Sequence, residues 1–288
     1  MIALDVIISG LILGGLYALF GLGLSLIFGV MKIANIAHGE FAIGGAFLAI
    51  ATALFLGAPI WLAVALALVL SFAIGFALQL TLINRVMTDD PMPALLMTFG
   101  LSIVIQNLLV ELFGADNRSL EIGPLATAGI NLGGTSVGVL PLIMFVLAIG
   151  LFATLHWVLK HTKAGRNVRA TSDDPEMVSM MGLDRARIFA LVMGLSAALA
   201  ALAGMMLAMR GSITPFSGAE RLLIAFEVIV IGGLGSIWGS LLGGLTLGLV
   251  HVIALRLDPS SGPLYGHLLL LAILLLRPEG LAGRVAQR

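Results

Sequence analysis

"LDVIISGLILGGLYALFGLGLSLIFGV", residues 4–30, is an apolar run longer than the ~20 residues a helix needs to cross a hydrocarbon core. Runs of the same character recur at 41–56, 60–83, 94–113, 137–159, 187–208, 222–257 and 264–276. Over all 288 residues the chain is 60% hydrophobic and 10% charged, where soluble domains carry about 25% charge. In lipid only a helix satisfies its backbone hydrogen bonds within one segment, so these runs read as helices. The expected fold is all-α: a polytopic integral membrane protein, one transmembrane domain over 1–288, with 8–9 transmembrane helices, some broken or re-entrant. The count depends on 222–257, which is too long for one ordinary span. "GGLGSIWGSLLGG" (232–244) interrupts it and suggests two shorter helices meeting at a bend.

Formal net charge is zero, so no overall field points to nucleic acid. The chain has no cysteine, which excludes disulfides, thiolate zinc sites and thiol catalysis. No His-Glu-x-x-His spacing or other metal-ligand cluster is present, so neither a metal nor a cofactor is expected. His156 and His161 suit an interface at a span end better than a metal site. The first residues lack a basic stretch and their apolar run is too long for a signal peptide, giving an expected uncleaved first span.

Six of the fifteen lysines and arginines (Lys160, Lys163, Arg166, Arg169, Arg185 and Arg187) fall between two spans. The positive-inside rule makes that loop cytoplasmic. Arg277, Arg284 and Arg288 put the C-terminus on the same side, and the segment from Gly114 to Gly138, with Arg118 alone, reads as external. Nine crossings would place the N-terminus outside; eight would require a re-entrant segment.

Polar groups inside the apolar runs mark candidate sites, because an ionisable side chain at bilayer depth costs about 2.5–3.5 kcal/mol or more. "NIAHGEFAIGGAF" (35–47) sets Asn35, His38 and Glu40 among Gly39, Gly44 and Gly45. Two readings stand: a solvated turn between the first two spans, or a break at membrane depth lining a cavity. Gly44 and Gly45 favour close helix packing in either case. Thr98, Ser102 and Gln106, four apart, form one polar stripe, with Asn107 and Glu111 as a second pair beside it. The stripe either ties helices together or lines a solute path. Glu227 is the deepest carboxylate by sequence position; it either lies on the solute path or, failing that, snorkels outward or pairs with His251.

Residues 35–45 and 232–244 share a loose spelling: a polar residue, then Gly39 or Gly239, then Gly44-Gly45 or Gly243-Gly244. Glycine-broken spans at matching places in two halves point to a transporter's midplane site, and Gly232 and Gly233 belong to the second break. Small residues four apart form packing seams along the first span, at Gly10, Gly14, Ala18 and at Gly21, Ser25, Gly29. A similar seam at 187–208 runs through Gly194, Ala198 and Leu202, flanked by Ala197, Ala201 and Gly204.

The basic loop, "KHTKAGRNVRATSDDPEMVSMMGLDRAR" (160–187), contains a short helix signal: Asp173 with Glu176 as a capping box, Pro175 in the first turn and Gly182 as the stop. Met177, Val178, Met180 and Met181 would give it an adaptable apolar face. Such a helix either lies on lipid headgroups or inserts into a partner's groove.

Four blocks carry a family resemblance: "GGLYALFGLGLSLIFGVMKIANIAHGEFAIGGAF" (14–47), "MTFGLSIVIQNLLVELFG" (97–114), "GRNVRATSDDPEMVSMMGLD" (165–184) and "AFEVIVIGGLGSIWGSLLGG" (225–244). In this order they are similar to the permease subunits of branched-chain amino acid ABC importers, specifically the smaller permease of the pair. The resemblance implies a transport subunit rather than an enzyme, in a bacterial inner membrane with its C-terminus cytoplasmic. It also implies a second permease, two ATPase subunits and an extracytoplasmic binding protein as partners. The third block resembles the loop that grips the ATPase, with Gly165, Arg166, Arg169, Ala170, Asp174, Met177 and Gly182 in place and Pro175, Met180 and Met181 beside them. No glycine precedes a lysine anywhere, so the phosphate-cradling G-x-x-x-x-G-K-[ST] loop must sit on another polypeptide. Asn35, His38, Gly39, Glu40, Thr98, Ser102, Gln106, Glu227, Gly232 and Gly233 are the expected pathway residues. Branched-chain amino acids follow from kinship only; related permeases carry other amino acids, amides or urea. A stand-alone secondary transporter is the rival from another class.

Overall fold

The computed structural model describes residues 2–88, 90–132, 135–259 and 261–282. Arg284 and Arg288, two of the three C-terminal basic residues used above, lie outside them. The helices are α1 (Ile2–Met31), α2 (His38–Leu56), α3 (Ile60–Leu78), which continues through a π-helical turn (Gln79–Ile83) into α4 (Asn84–Val86), and α5 (Met92–Phe113). After α6 (Val139–His161) come two short helices, α7 (Lys163–Asp173) and α8 (Pro175–Met180). The chain then forms α9 (Arg185–Arg210), α10 (Gly218–Gly232), α11 (Ile237–Leu257) and α12 (Gly262–Leu276).

Among the described residues seven helices are long and apolar enough to cross a membrane, and α12 is a shorter apolar helix. The expected eight or nine is reached only by counting the two 15-residue helices α10 and α12. The chain is a multi-pass membrane protein. Residues 222–257 divide as expected, into α10 and α11. The fold is all-α as expected, with one short addition in a connection: β1 (Gly129–Leu132) and β2 (Thr135–Gly138) form an antiparallel hairpin with Ile130 opposite Val137. β-Branched residues in a short stretch between spans favour a strand pair where an apolar helical period is missing.

Small residues set the packing. α1 lies against α11, where a Cβ on Gly14 would come within 2.6 Å of Leu245 Cα and one on Gly244 within 2.4 Å of Ala18 N. α3 lies against α9 in the same way, a Cβ on Gly75 falling 2.6 Å from Ala197 Cβ. The expected seams on α1 and α9 are thus where backbones touch. Gly45 also fits, with a Cβ 2.1 Å from Ala201 Cβ, but Gly44 does not: its Cβ would meet only Ile105, at 4.0 Å.

These contacts reveal an inverted repeat. α1, α2, α3 and α5 correspond to α9, α10, α11 and α12, since α1 pairs with α11 as α9 pairs with α3, and α2 contacts α5 as α10 contacts α12. The chain runs oppositely in the two halves. α1 ends beside α7, where Ser172 Oγ donates to Gly29 O at 2.6 Å, whereas α9 begins just after α8. The glycine spelling that pairs 35–45 with 232–244 is therefore displaced. The counterpart of the 32–37 break is 211–217, which leads into α10, while 233–236 is a tight turn with Gly233 and Gly235 at positive φ and matches the α2–α3 turn at Gly57. Paired glycines serve turns and close packing alike, so the spelling could not tell one use from the other.

Candidate functional site

Both breaks bring a helix N-terminus into the middle of the bundle. After Met31 the chain turns at Lys32, the one non-glycine residue with positive φ among the described residues, and runs back along α1. Asn35 Oδ1 accepts from Ala37 N at 3.0 Å and Ile36 N donates to Thr98 Oγ1 at 3.2 Å, which aims the segment inward. α2 then starts at His38, whose Nε2–H donates to Phe20 O at 3.0 Å. Phe20 and Gly23 precede the end of α1 by 11 and 8 residues, about 16 and 12 Å of helix at 1.5 Å per residue. The segment 35–40 lies inside the bundle, with Asn35, His38 and Glu40 all buried, rather than in a solvated surface turn. Gly23 makes the fit possible: a Cβ there would fall 2.8 Å from both His38 Cε1 and Ser196 O. Ser196 of α9 donates to Gly23 O at 2.8 Å, so α1, α2 and α9 meet at one level.

α10 begins at the same place. A Cβ on Gly39 would fall 2.0 Å from Gly218 O, and one on Gly218 would fall 2.2 Å from Glu40 Oε1. Neither α2 nor α10 has a side-chain cap. The turns that lead into them are closed instead, by Asn35, whose backbone O accepts from His38 N at 3.2 Å, and by a Thr214–Ser217 capping box on the 3₁₀ turn Pro215–Ser217. The Glu40 carboxylate, 3% exposed, lies over the first residue of α10, toward the positive end of that helix's dipole. Glu40 Oε2 and His38 Nδ1 are buried without a hydrogen-bond partner. Asn35 Nδ2 reaches only Met193 Sδ, at 3.5 Å. Asn35, His38, Gly39 and Glu40 thus form one cluster with Thr98 at its edge.

The other expected pathway residues are placed apart. Ser102 and Gln106 are half-buried on α5, and Asn107 and Glu111 are exposed. Gly232 and Gly233 lie at the α10–α11 turn, near Gly239 and Gly280. Glu227 is buried and bonds His267 Nδ1 of α12, not His251, which faces the Tyr17 hydroxyl at 3.2 Å. Gly266 makes room, since a Cβ there would sit 3.4 Å from Glu227 Oε2. The signal for His267 is its position directly after Gly262-x-x-x-Gly266, a small-residue face that lets α12 pack on α11, with Gly266 also reaching Glu227 of α10.

At the α7–α8 end, the loop is two helices rather than one. Thr162 caps α7 by accepting from Gly165 N at 3.0 Å, and Gly165 lies on Val158 O and Leu159 O of α6, where a Cβ would fall at 2.4 Å. Arg166, Arg169 and Ala170 are exposed. α8 is capped by Asp174, not Asp173: Asp174 Oδ1 accepts from Glu176 N and Met177 N at 3.0 and 2.9 Å. Pro175 fixes the first helical position, so the residue immediately before it is the cap. Gly182 at φ +81° ends α8, and Leu183 N donates to Val178 O in the Schellman pattern. Val178, expected on the offered face, is instead 2% exposed, while Met177, Met180 and Met181 are 55%, 82% and 74% exposed.

A family profile described as "Branched-chain amino acid transport system / permease component" matches residues 6–277. The chain is 30% identical to the high-affinity branched-chain amino acid transport system permease protein LivH of Escherichia coli, over 96% of this chain and 94% of that protein. It is 29% identical to the corresponding protein BraD of Pseudomonas aeruginosa, over 98% and 96%. A partial match to the fructose import permease protein FrcC of Rhizobium meliloti, 36% identical, covers 44% of this chain and 38% of that one. No solved structure matches.

Proposed function

Because the chain belongs to the family of branched-chain amino acid permease components, we propose that it is the membrane-spanning subunit of an ATP-binding-cassette importer, translocating amino acids of the branched-chain class. In this reading residues 1–288 act as one permease domain in a bacterial inner membrane, with α7, α8 and the C-terminus in the cytoplasm. A second permease completes the path, ATP is hydrolysed on two separate subunits, and an extracytoplasmic binding protein delivers the solute.

The observation that carries the reading is α8: a capped two-turn helix that presents three exposed methionines beyond the spans. Methionine side chains adapt to a groove at little strain. The Asp174 N to Ala170 O bond at 3.0 Å and the turn at Gly182 hold the rod at a fixed angle, and Gly165 seats α7 on α6. Closure of the ATPase subunits would push α8. The Ser172–Gly29 bond passes the push to α1, and the Asp184-capped start of α9 receives it directly. α1 and α9 are the helices that hold the half-helix junction through Phe20, Gly23 and Ser196. A push at the basic end therefore reaches the mid-bundle breaks along two rigid helices.

Asn35, His38, Gly39 and Glu40 are the junction that opens, with Thr98, Ser102 and Gln106 continuing the path along α5. Glu227 belongs to the α10–α12 contact, and Gly232 and Gly233 form the turn about which α10 moves. Other small solutes of the wider family are the nearest alternative, favoured by the partial match to a sugar permease. A stand-alone, proton-linked transporter is favoured only by the Glu227–His267 pair. Uptake by the full complex in vesicles with all ion gradients collapsed separates the two: uptake that continues with ATP supports the importer, and uptake that stops with the gradients supports the rival.

A further inference from the structure

The end of the bundle that carries α7 also holds a half-open cavity of about 370 Å³ between α1, α6, α7 and the start of α11. It is lined by Lys160 and Arg169, by the half-buried hydroxyl of Ser236 and the indole of Trp238, and by no carboxylate. Neither Lys160 nor Arg169 makes an ion pair among the described residues. Ser25, 1% exposed, also lines it, and its hydroxyl has no partner. The 21-residue helix α11 opens there, so its dipole adds positive potential. Cations without counter-charge, an orphan buried hydroxyl and a helix N-terminus all select an anion.

The source of the anion follows from position. Lys160 is in the last turn of α6 and Gly29 in the last residues of α1, so the cavity lies at the membrane boundary. Apart from its polar groups it is lined by Leu26, Val30, Leu159 and Ile237. Trp238 is 44% exposed and its ring meets His156 edge-on at a centroid distance of 5.5 Å, the aromatic-at-interface arrangement. Basic crevices between helix ends hold anionic headgroups.

We propose that this cavity binds the phosphate-bearing headgroup of an anionic membrane phospholipid, with Lys160 and Arg169 on the phosphate and the apolar lining on the start of the acyl chains. The bound lipid would bridge α6, α7 and α11, and this holds whatever solute the permease carries.

The test uses the full chain with Trp61→Phe and Trp157→Phe, which leaves Trp238 as the sole tryptophan of three. In phosphatidylcholine vesicles, brominated phosphatidylglycerol should quench Trp238 at a lower mole fraction than brominated phosphatidylcholine, by about fivefold for each basic side chain. Lys160→Gln should lose about fivefold of that preference, and Lys160→Gln with Arg169→Gln should abolish it. Lys163→Gln with Arg187→Gln, which removes as much charge from the same surface outside the cavity, should keep it. Equal quenching by the two lipids overturns the proposal, as does equal loss in the control pair, which would mean surface charge alone. Preference abolished by millimolar inorganic phosphate would assign the site to a soluble anion instead. The comparison of lipids and the phosphate competition need no change at Lys160 or Arg169, so they decide even if those variants fail to fold.

Discussion

Glu40 of α2 lies directly over Gly218, the first residue of α10, so that the two half-helices meet N-terminus to N-terminus with one carboxylate between them. A buried carboxylate is costly alone, and the positive ends of two helix dipoles facing each other would repel. Together they offset one another. The arrangement needs glycine at 39 and 218, because any side chain there would part the helices.

That requirement gives the first expected outcome. A Cβ at Gly39 meets a backbone oxygen at 2.0 Å, so Gly39→Ala must move a helix. It should cost about 1–3 kcal/mol, the range for overpacking. Gly44→Ala, five residues along the same helix, has room and should be neutral or stabilising by up to about 1 kcal/mol. Thermal unfolding of the two purified variants in detergent checks the difference; equal midpoints would contradict the junction geometry.

The Glu227–His267 pair predicts a specific non-additivity. His267→Leu leaves a buried carboxylate without its partner and should destabilise by about 1–3 kcal/mol. Adding Glu227→Leu should restore most of the loss, since a buried pair replaced by apolar groups is often neutral. Unfolding of both single variants and the double variant measures the coupling. His251→Leu serves as the comparison and should show no coupling to Glu227→Leu.

Ser172 is the clamp between α7 and α1. Ser172→Ala removes a bond worth about 0.5–1.5 kcal/mol while leaving both helices intact. The assembled complex should hydrolyse ATP at an unchanged basal rate but import about two- to tenfold less solute per ATP. Parallel measurement of phosphate release and uptake checks this, and an unchanged ratio would show that the push travels elsewhere.

Much of this fold is legible in the residues. Apolar run lengths give the long spans within a few positions, and glycine and alanine at four-residue spacing give the α1 and α9 seams, because both depend only on local period. What escapes the sequence depends on distant partners. Glu40 finds Gly218, and Glu227 finds His267 rather than His251, through a repeat whose two halves share geometry but almost no spelling. α7 is missed for a different reason: it is polar on most sides, so its composition reads as loop until Gly165 is seen seated on α6. Asp173 and Asp174 are chemically equivalent neighbours, and only the fixed backbone of Pro175 decides which one caps α8.

The central claim, that α8 is the point where an ATP-hydrolysing partner grips this permease, is tested most directly by cross-linking. The chain contains no cysteine, so Met180→Cys supplies a unique thiol. In the complex reconstituted with ATPase subunits that carry single cysteines along their permease-facing groove, oxidation should link Met180→Cys to that groove, stop ATP-driven uptake, and be reversed by reductant. If Met177→Cys, Met180→Cys and Met181→Cys all fail to link in a complex that imports solute at the full ATP-driven rate, α8 is not the docking helix and the coupling account is wrong.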